Sequence, residues 1–185
     1  LRVDADFANI LSDANTSCLF TEWENYADSF LEYVKHSTIK DKFCINLLNQ
    51  LESENLQTDY RHYIVASLFH AVIKPVRNSA NKLPTIVQAQ NDVCTLVSCN
   101  EEYADATAKL REDTQKVKDS LPPRIFIIKN TDQITFFVVY NGLEYILPSF
   151  LRPVDVALKL TFVLDLPFTE SAVLFWGFIS RYFYK

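Results

Sequence analysis

The sequence has 185 residues, 49% of them hydrophobic and 14% aromatic, with a net charge of −5 at pH 7. That much apolar content excludes a disordered chain and allows one domain with a sizeable core, or a compact pair. Gly142 and Gly177 are the only glycines, which excludes glycine-rich phosphate loops and the G-x-S-x-G turn, and charges interrupt every apolar run, which excludes a membrane span.

The charge is distributed unevenly along the chain. Residues 121–185 carry six Lys or Arg and five Asp or Glu, a balance of +1, whereas residues 1–120 carry twelve and eighteen, a balance of −6. A broad surface for nucleic acid needs clustered basic groups, and the acidic first part does not provide them. We therefore interpret the acidic excess as an ordinary solvated surface.

The first 121 residues predict a bundle of helices. Apolar residues recur at spacings of three and four, and capping residues precede several of these runs. We predict an opening helix over residues 4–14, then helices that begin at Thr21, Thr38, Thr58, Pro84 and Ser98. Their predicted core positions are Trp23, Tyr26, Ala27, Phe30, Val34, Phe43, Leu47, Leu48, Leu51, Ile64, Leu68, Ala71, Val72, Ile86, Val93, Leu96 and Val97.

The helix that begins at Ser98 is polar and has a narrow apolar stripe with a period near 3.5 residues. Such a stripe fits either a helix on the surface of the bundle or a short coiled-coil seam, and the sequence leaves both open. Pro122 and Pro123 end this helix, and the helical period gives way to strands there. The stripe consists of Tyr103, Ala106, Leu110, Val117 and Leu121.

Three strand-like runs follow the prolines. Arg124–Lys129, Ile134–Tyr140 and Leu143–Leu147 are rich in β-branched and aromatic residues, which favour strands. Asn141 and Gly142 separate the last two runs, and both residue types tolerate the positive φ angles of a type I′ turn. The pattern predicts a three-stranded antiparallel meander with a tight hairpin.

Two apolar helices complete the chain, one with Pro153 in its first turn and one capped by Thr169. In the second, we expect one face to cover the sheet. Leu174 and Phe178 lie on nearly the opposite side, where we expect the bundle to bury them, with Gly177 allowing a close approach. The face predicted for the sheet consists of Ala172, Phe175, Trp176, Ile179 and Phe183.

These elements predict an α+β protein. A helical bundle over residues 1–121 precedes a β-meander with two helices over residues 122–185, and we expect the two parts to pack as one compact unit. The sequence begins at Leu1 and contains no methionine, so we expect a domain excised from a longer protein or a processed product.

Hydrophobic and aromatic residues over 124–184 follow a distinctive spacing. In this spacing the segment resembles a C-terminal module that recurs in uncharacterised animal proteins, some of them linked to zinc-finger or transposon-derived genes. No activity is established for that module, so the resemblance implies no functional residues. It is carried by 137–145 (FVVYNGLEY), Val154-Asp155, Lys159, 162–166 (FVLDL), Glu170-Ser171, Trp176, Phe178-Ile179 and 182–184 (YFY).

The candidate chemical groups are few. Cys94 and Cys99 have a spacing close to that of zinc ligands, and His62 or His70 would have to complete the site, but buried or helix-end thiols explain the pair better. The histidines are interpreted as a helix-end residue, His36, and two boundary residues. We predict no catalytic, cofactor-binding or metal-binding residues. The acidic residues that could pair, Glu22, Glu24, Glu101, Glu102 and Asp105, suit first helical turns.

The four cysteines are Cys18, Cys44, Cys94 and Cys99. A core of this size needs no disulfide bonds, so we predict four free thiols. Free thiols imply an intracellular, reducing compartment, with the nucleus as one option. The leading function is a non-catalytic protein–protein interaction or assembly module of a larger protein, binding another protein or a second copy of itself. The alternative, which rests on the resemblance, is a nucleic-acid-associated or transposon-derived accessory domain. We expect no cofactor, small-molecule substrate or membrane.

Overall fold

The computed structural model describes residues 2–10, 18–53, 56–116, 121–130 and 133–184. Within these ranges the chain is an α+β protein, as predicted. None of the described helices is long and apolar enough to cross a membrane. The elements are α1 (Arg2–Ile10), α2 (Cys18–Lys35), α3 (Lys42–Leu51), α4 (Thr58–Val72), α5 (Ile86–Val93), β1 (Thr95–Val97), α6 (Asn100–Lys116), β2 (Arg124–Lys129), β3 (Ile134–Tyr140), β4 (Leu143–Leu147), α7 (Leu151–Val163), a 3-10 turn (Glu170–Ala172) and α8 (Val173–Phe183).

The sheet differs from the predicted three-stranded antiparallel meander. The described residues form four strands in the order β1-β2-β3-β4, and β1 is parallel to β2. Leu96 and Val97, which we expected in a helix, belong to β1 and pair with Ile127 and Ile128. Parallel neighbours need a long crossover, and α6 lies between β1 and β2 in the chain. The polar helix is therefore the crossover of a β-α-β unit.

Both faces of the sheet are covered, which explains why β2 and β3 read as continuous apolar runs. Ile127 and Val138 lie on the inner face and join the main core with α7. Phe126 and Phe137 lie on the outer face, where α6 packs on them. The stripe of α6 thus contacts the sheet, and both the bundle surface and the coiled-coil seam were wrong. Of that stripe, Val117 lies outside the described residues, and Tyr103, Ala106 and Leu110 make the contact.

The hairpin between β3 and β4 is confirmed. Asn141 has φ 48° and Gly142 has φ 75°, and Tyr140 pairs with Leu143 across the two-residue turn. Positive φ at both central positions is the type I′ geometry, which matches the right-handed twist of the flanking strands. β4 is one of the two edge strands, and it is mostly exposed.

Helix α4 lies at the centre of the molecule. Its residues from His62 to His70 are all buried, whereas the sequence predicted a single inward face through Ile64 and Leu68. A helix that is apolar nearly all round is one that other elements surround. Helices α2, α3 and α5 all pack against α4.

Several helix starts differ from the capping patterns. Thr21 lies inside α2, where its Oγ1 donates to the Cys18 carbonyl, so it is not a cap. Asp41, and not Thr38, caps α3 by accepting from the Cys44 amide at 3.0 Å. Thr85 forms a reciprocal capping box with Gln88, one residue after the predicted start at Pro84. The opening helix ends at Ile10, and the rest of its predicted range, 11–14, lies outside the described residues.

Helix α8 packs on the N-terminal helices. We expected Phe175 and Phe183 to face the sheet, but Phe175 contacts Phe69 of α4. The helix that contacts β2 and β3 is α7. Phe178 contacts the bundle as predicted, with its ring centroid 5.0 Å from that of Tyr26, but Phe178 and Leu174 are only half-buried, so their predicted burial against the bundle is partial. The role given to Gly177 was wrong, because a Cβ there would meet nothing within 4 Å in the described part of the chain.

Candidate functional site

A buried network of charges connects α1, α7 and the last residues. Asp155 is 0% exposed and Lys159 is 2% exposed, and their side chains are 2.7 Å apart. Arg152 Nη1 donates to Asp155 at 2.6 Å and its Nη2 donates to Asp4 at 2.7 Å. Lys159 Nζ donates to Asp4 at 2.8 Å, and the Tyr184 hydroxyl donates to Asp155 at 2.6 Å. Among the described residues, two carboxylates thus face two cations.

The electrostatics of this network indicate a structural role. Burial alone would raise the pKa of Asp4, but hydrogen bonds from Lys159 and Arg152 outweigh it and hold that pKa well below its usual range. Burial, and then the charge of Asp155, raise the pKa of the Tyr184 hydroxyl. In this network the Tyr184 hydroxyl bonds Asp155, and both carboxylates are paired with cations. The network joins α1 and Tyr184 to α7.

A second polar cluster lies where α5, β2 and the 3-10 turn meet. Arg124 Nη1 donates to Asp92 Oδ1 at 2.5 Å, and the Ser171 hydroxyl donates to Asp92 Oδ2. Glu170 accepts from the backbone amide of Ser79 at 3.0 Å. These contacts border a cleft of about 730 Å³. Its lining residues are Asn78, Lys82, Leu83, Pro84, Gln88, Asn91, Asp92, Thr169, Glu170 and Ser171.

This cleft lacks the arrangement that nucleophilic catalysis needs. A serine nucleophile requires an adjacent base, usually a histidine that a third group orients. No histidine is among the described residues that line the cleft, and Asp92 already serves the ion pair with Arg124. Ser171 and Arg124 instead share one carboxylate, which joins three elements at one point.

The surface also has a groove of about 810 Å³, which we call the α2–α3 groove. It is lined by residues of α2 and α3, which both pack on α4, and by Arg61 of α4, and we call its apolar lining residues the floor. Ile45 on its floor is 40% exposed. The lining residues are Asp28, Leu31, Glu32, Val34, Lys35, Ser37, Ile39, Ile45, Leu48, Leu51, Glu52 and Arg61.

A row of carboxylates runs along the α2 wall. Glu24, Asp28 and Glu32 are spaced by four residues, so they project from one side of the helix. Arg61 reaches two of them, with Nη1 2.8 Å from Glu24 and Nη2 2.5 Å from Asp28. Like charges at this spacing destabilise a helix slightly, so the row adds little to the stability of α2. The groove therefore combines an apolar floor with an acidic rim.

The candidate metal ligands take structural positions. Cys94 is the buried C-cap residue of α5, whereas Cys99 precedes α6. In the described ranges, no group of three or more His, Cys, Asp or Glu could hold a metal ion. Both His62 and His70 are buried in the core, so neither is the boundary residue that we expected.

The histidines have contacts that explain them. His62 Nε2 lies 2.5 Å from Glu24 Oε1, which joins α4 to α2. Burial lowers the pKa of His70, whose Nδ1 is 3.2 Å from the Ile73 carbonyl oxygen, so a neutral ring donates there at the end of α4. His36 at the end of α2 lies 3.1 Å from Glu32. The predicted helix-end role of His36 fits this position.

Sequence reasoning missed the buried network. Its signal was present, because α7 reads Arg152-x-x-Asp155-x-x-x-Lys159 within an otherwise apolar helix. Charges at spacings of three and four inside an apolar run indicate a paired, buried set. The contribution of Asp4 had no such signal, since it comes from a helix about 150 residues away in the chain.

All four cysteines are unbridged, and they divide into two classes. Cys18 and Cys99 are half-buried, whereas burial raises the pKa of the Cys44 thiol to about 12 and also raises that of Cys94. We expect iodoacetamide at pH 8 to modify Cys18 and Cys99 in the native protein and all four residues in urea. Peptide mass spectrometry measures this. Equal native labelling of Cys44 would contradict its buried position.

No protein-family model, no curated protein and no solved structure matches the chain. A function therefore has to be inferred from the geometry of its own side chains.

Proposed function

We propose that the chain is a non-catalytic protein–protein interaction module of a larger protein and that the α2–α3 groove is its binding surface. The observation that supports this is the exposed apolar floor of the groove. Ile45 is 40% exposed, and Leu31, Leu48 and Leu51 beside it are only half-buried. Contiguous apolar surface with a polar rim is typical of sites that bind another molecule.

The energetics support the same proposal. Complete burial of one aliphatic side chain contributes about 1.5–3 kcal/mol, so covering the remaining exposed area of four such residues is worth several kcal/mol. Such burial is the usual source of affinity at the centre of an interface. The charged rim excludes water from the centre and fixes the alignment of the two partners.

The polar clusters support a role without catalysis. In both clusters, the charged groups bond each other: Lys159 bonds two carboxylates, and Asp92 accepts from both Arg124 and Ser171. An active site usually leaves at least one titratable group directed at a substrate. Neither arrangement provides such a group.

The nucleic-acid alternative would need exposed aromatic rings on a basic sheet face. The sheet does not offer them, because Tyr103 of α6 stacks on Phe137 with ring centroids 4.7 Å apart, and Phe126 lies under the same ring. Phe136 belongs to the main core. No specific contact favours this alternative over the interaction module.

The proposal is tested with the substitution Ile45→Glu. A carboxylate on the apolar floor loses the burial of an isoleucine and adds a desolvation cost, so we expect binding of any groove partner to weaken more than tenfold, or about 1.4 kcal/mol. Quantitative cross-linking mass spectrometry in cells reports partner proteins, and sedimentation velocity of the purified chain reports a second copy.

The matched control is Ile146→Glu on β4, where the isoleucine is 71% exposed and is not among the residues that line the groove. We expect this variant to keep the partners of the wild-type chain. If Ile45→Glu retains the same cross-linked proteins and the same sedimentation coefficient as the wild type, the groove is not the binding surface and the proposal fails.

A further inference from the structure

The walls of the α2–α3 groove restrict the kind of segment that can bind there. Both walls are helices, whose backbone amides and carbonyls are bonded within the helix except at their ends. An extended segment in the groove would bury backbone groups without partners, which costs free energy for each of them. A helical segment satisfies its own backbone and needs only side-chain contacts. The geometry therefore favours a helix as the occupant.

The floor has the form that receives a helix. Ile45, Leu48 and Leu51 recur at spacings of three on α3, and half-buried Leu31 lines the groove from α2, whereas Val34 is buried in the core. Side chains at such spacings form ridges, and a third helix can place its own apolar ridge between them. Its apolar residues would then recur at i, i+3, i+4 and i+7.

The rim determines the charge of that helix. Among the described residues that line the groove, the carboxylates of Asp28, Glu32 and Glu52 face the cations of Arg61 and Lys35, so three negative charges meet two positive ones. Glu24 adds a fourth carboxylate beside the groove, where it contacts Arg61 and His62. Arg61 is shared between Glu24 and Asp28, and Lys35 Nζ lies 3.5 Å from Glu32. The acidic balance of residues 1–120 adds a long-range field of the same sign.

We infer that the α2–α3 groove binds a basic amphipathic helix of a partner protein. Its apolar face packs on Leu31, Ile45 and Leu48, and its Lys or Arg residues, spaced by four, lie along the carboxylates of α2. Four residues of helix rise about 6 Å, so both rows have the same repeat. This inference rests on the proposed interaction function and names the chemistry of the partner.

The test uses two labelled synthetic peptides of about 18 residues, or five helical turns. Both carry the same Leu face at i, i+3, i+4 and i+7, and the other positions hold Lys in one peptide and Glu in the other. Fluorescence anisotropy measures binding to the full chain at low and high salt. We expect the Lys peptide to bind at least about tenfold more tightly than the Glu peptide, with a difference that shrinks as salt screens the charges.

A pair of charge reversals assigns the effect to the rim. Glu32→Lys together with Glu52→Lys should weaken binding of the Lys peptide about tenfold and strengthen binding of the Glu peptide. The matched control, Asp105→Lys with Glu112→Lys, makes the same charge change on exposed positions of α6 and should leave the preference for the Lys peptide intact. Circular dichroism verifies that both variants are folded.

The outcomes separate this inference from the proposed function. If neither peptide binds, or both bind equally, or the α6 control removes the preference as well, the basic helix is refuted. The interaction function would still stand if Ile45→Glu removes cross-linked partners in cells. If Ile45→Glu changes no partner and no sedimentation while the Lys peptide binds through Glu32 and Glu52, the groove binds basic helices without being the cellular interface.

Discussion

The Lys159→Met substitution is expected to lower the free energy of unfolding by about 3–5 kcal/mol, the cost of removing one partner from a buried ion pair. Methionine has a similar length and fills the same space, but it provides no hydrogen for either carboxylate. Asp155, which is 0% exposed, would keep only Arg152 and Tyr184 as partners, and Asp4 would keep Arg152. Urea denaturation followed by circular dichroism measures the loss.

The matched control is Lys35→Met on α2. Its side chain is 69% exposed and pairs with Glu32 at 3.5 Å, an arrangement that contributes less than about 1 kcal/mol. If Lys159→Met costs no more than this control, the bonds of Lys159 do not hold α1 against α7, and apolar contacts such as those of Phe7 with Phe162 and Tyr184 do so instead.

The pH dependence of stability provides a second observable for the same substitution. Since the folded-state pKa of Asp4 is below its ordinary value of 3.8, its contribution is fully present above about pH 4 and is lost as the pH falls towards the folded-state pKa. Lys159→Met removes the strongest cause of that lowering. Its stability should therefore decline less steeply than that of the wild type on acidification below pH 4.

The elements that the sequence predicted well are those with a local cause. The β3–β4 hairpin follows from Asn141 and Gly142, which are needed for the turn itself. Helix α4 was predicted from its apolar residues to within one residue of its start, although Gln57, and not Thr58, is its N-cap. Each depends on side chains within a few residues of the feature. Local sequence is sufficient in such cases.

The features that the sequence missed depend on distant partners. β1 has three residues, too few to show a period of two, and its pairing with β2 needs α6 to return the chain. The apolar stripe of α6 was visible, but nothing in it distinguishes a sheet from a bundle as the surface it covers. Likewise, the only sequence signal for the burial of both faces of β2 was a run of four apolar residues, which does not show what covers each face.

The candidate site was the least predictable part. The α2–α3 groove exists because two amphipathic helices pack on α4 at separate places, and no single segment contains that information. The sequence shows the carboxylates of α2 at a spacing of four. Whether they border a binding surface depends on the apolar floor that α3 contributes. Residues that line one groove but lie about 20 positions apart in the chain form no periodic pattern that a single sequence can reveal.

The Phe178→Asp substitution is expected to unfold the protein or to lower its free energy of unfolding by about 2–3 kcal/mol, somewhat less than for a fully buried aromatic side chain because the ring of Phe178 is half-buried. The ring of Phe178 lies 5.0 Å from Tyr26 and 5.4 Å from Phe69, so it joins α8 to both α2 and α4. Aspartate would remove these contacts and place an unpaired charge among aromatic rings. Thermal melting followed by circular dichroism measures the effect.

The same helix offers a control in Val173→Asp, because Val173 is exposed at the start of α8, where a negative charge is also favourable to the helix dipole. We expect this variant to melt within a few degrees of the wild type. A different architecture would give a different result: if the second face of α8 served a contact between two copies, Phe178→Asp would stay folded and its mass in light scattering would fall. The ring contacts with Tyr26 and Phe69 within one chain predict unfolding, since they make α8 the element that closes the core over α2 and α4.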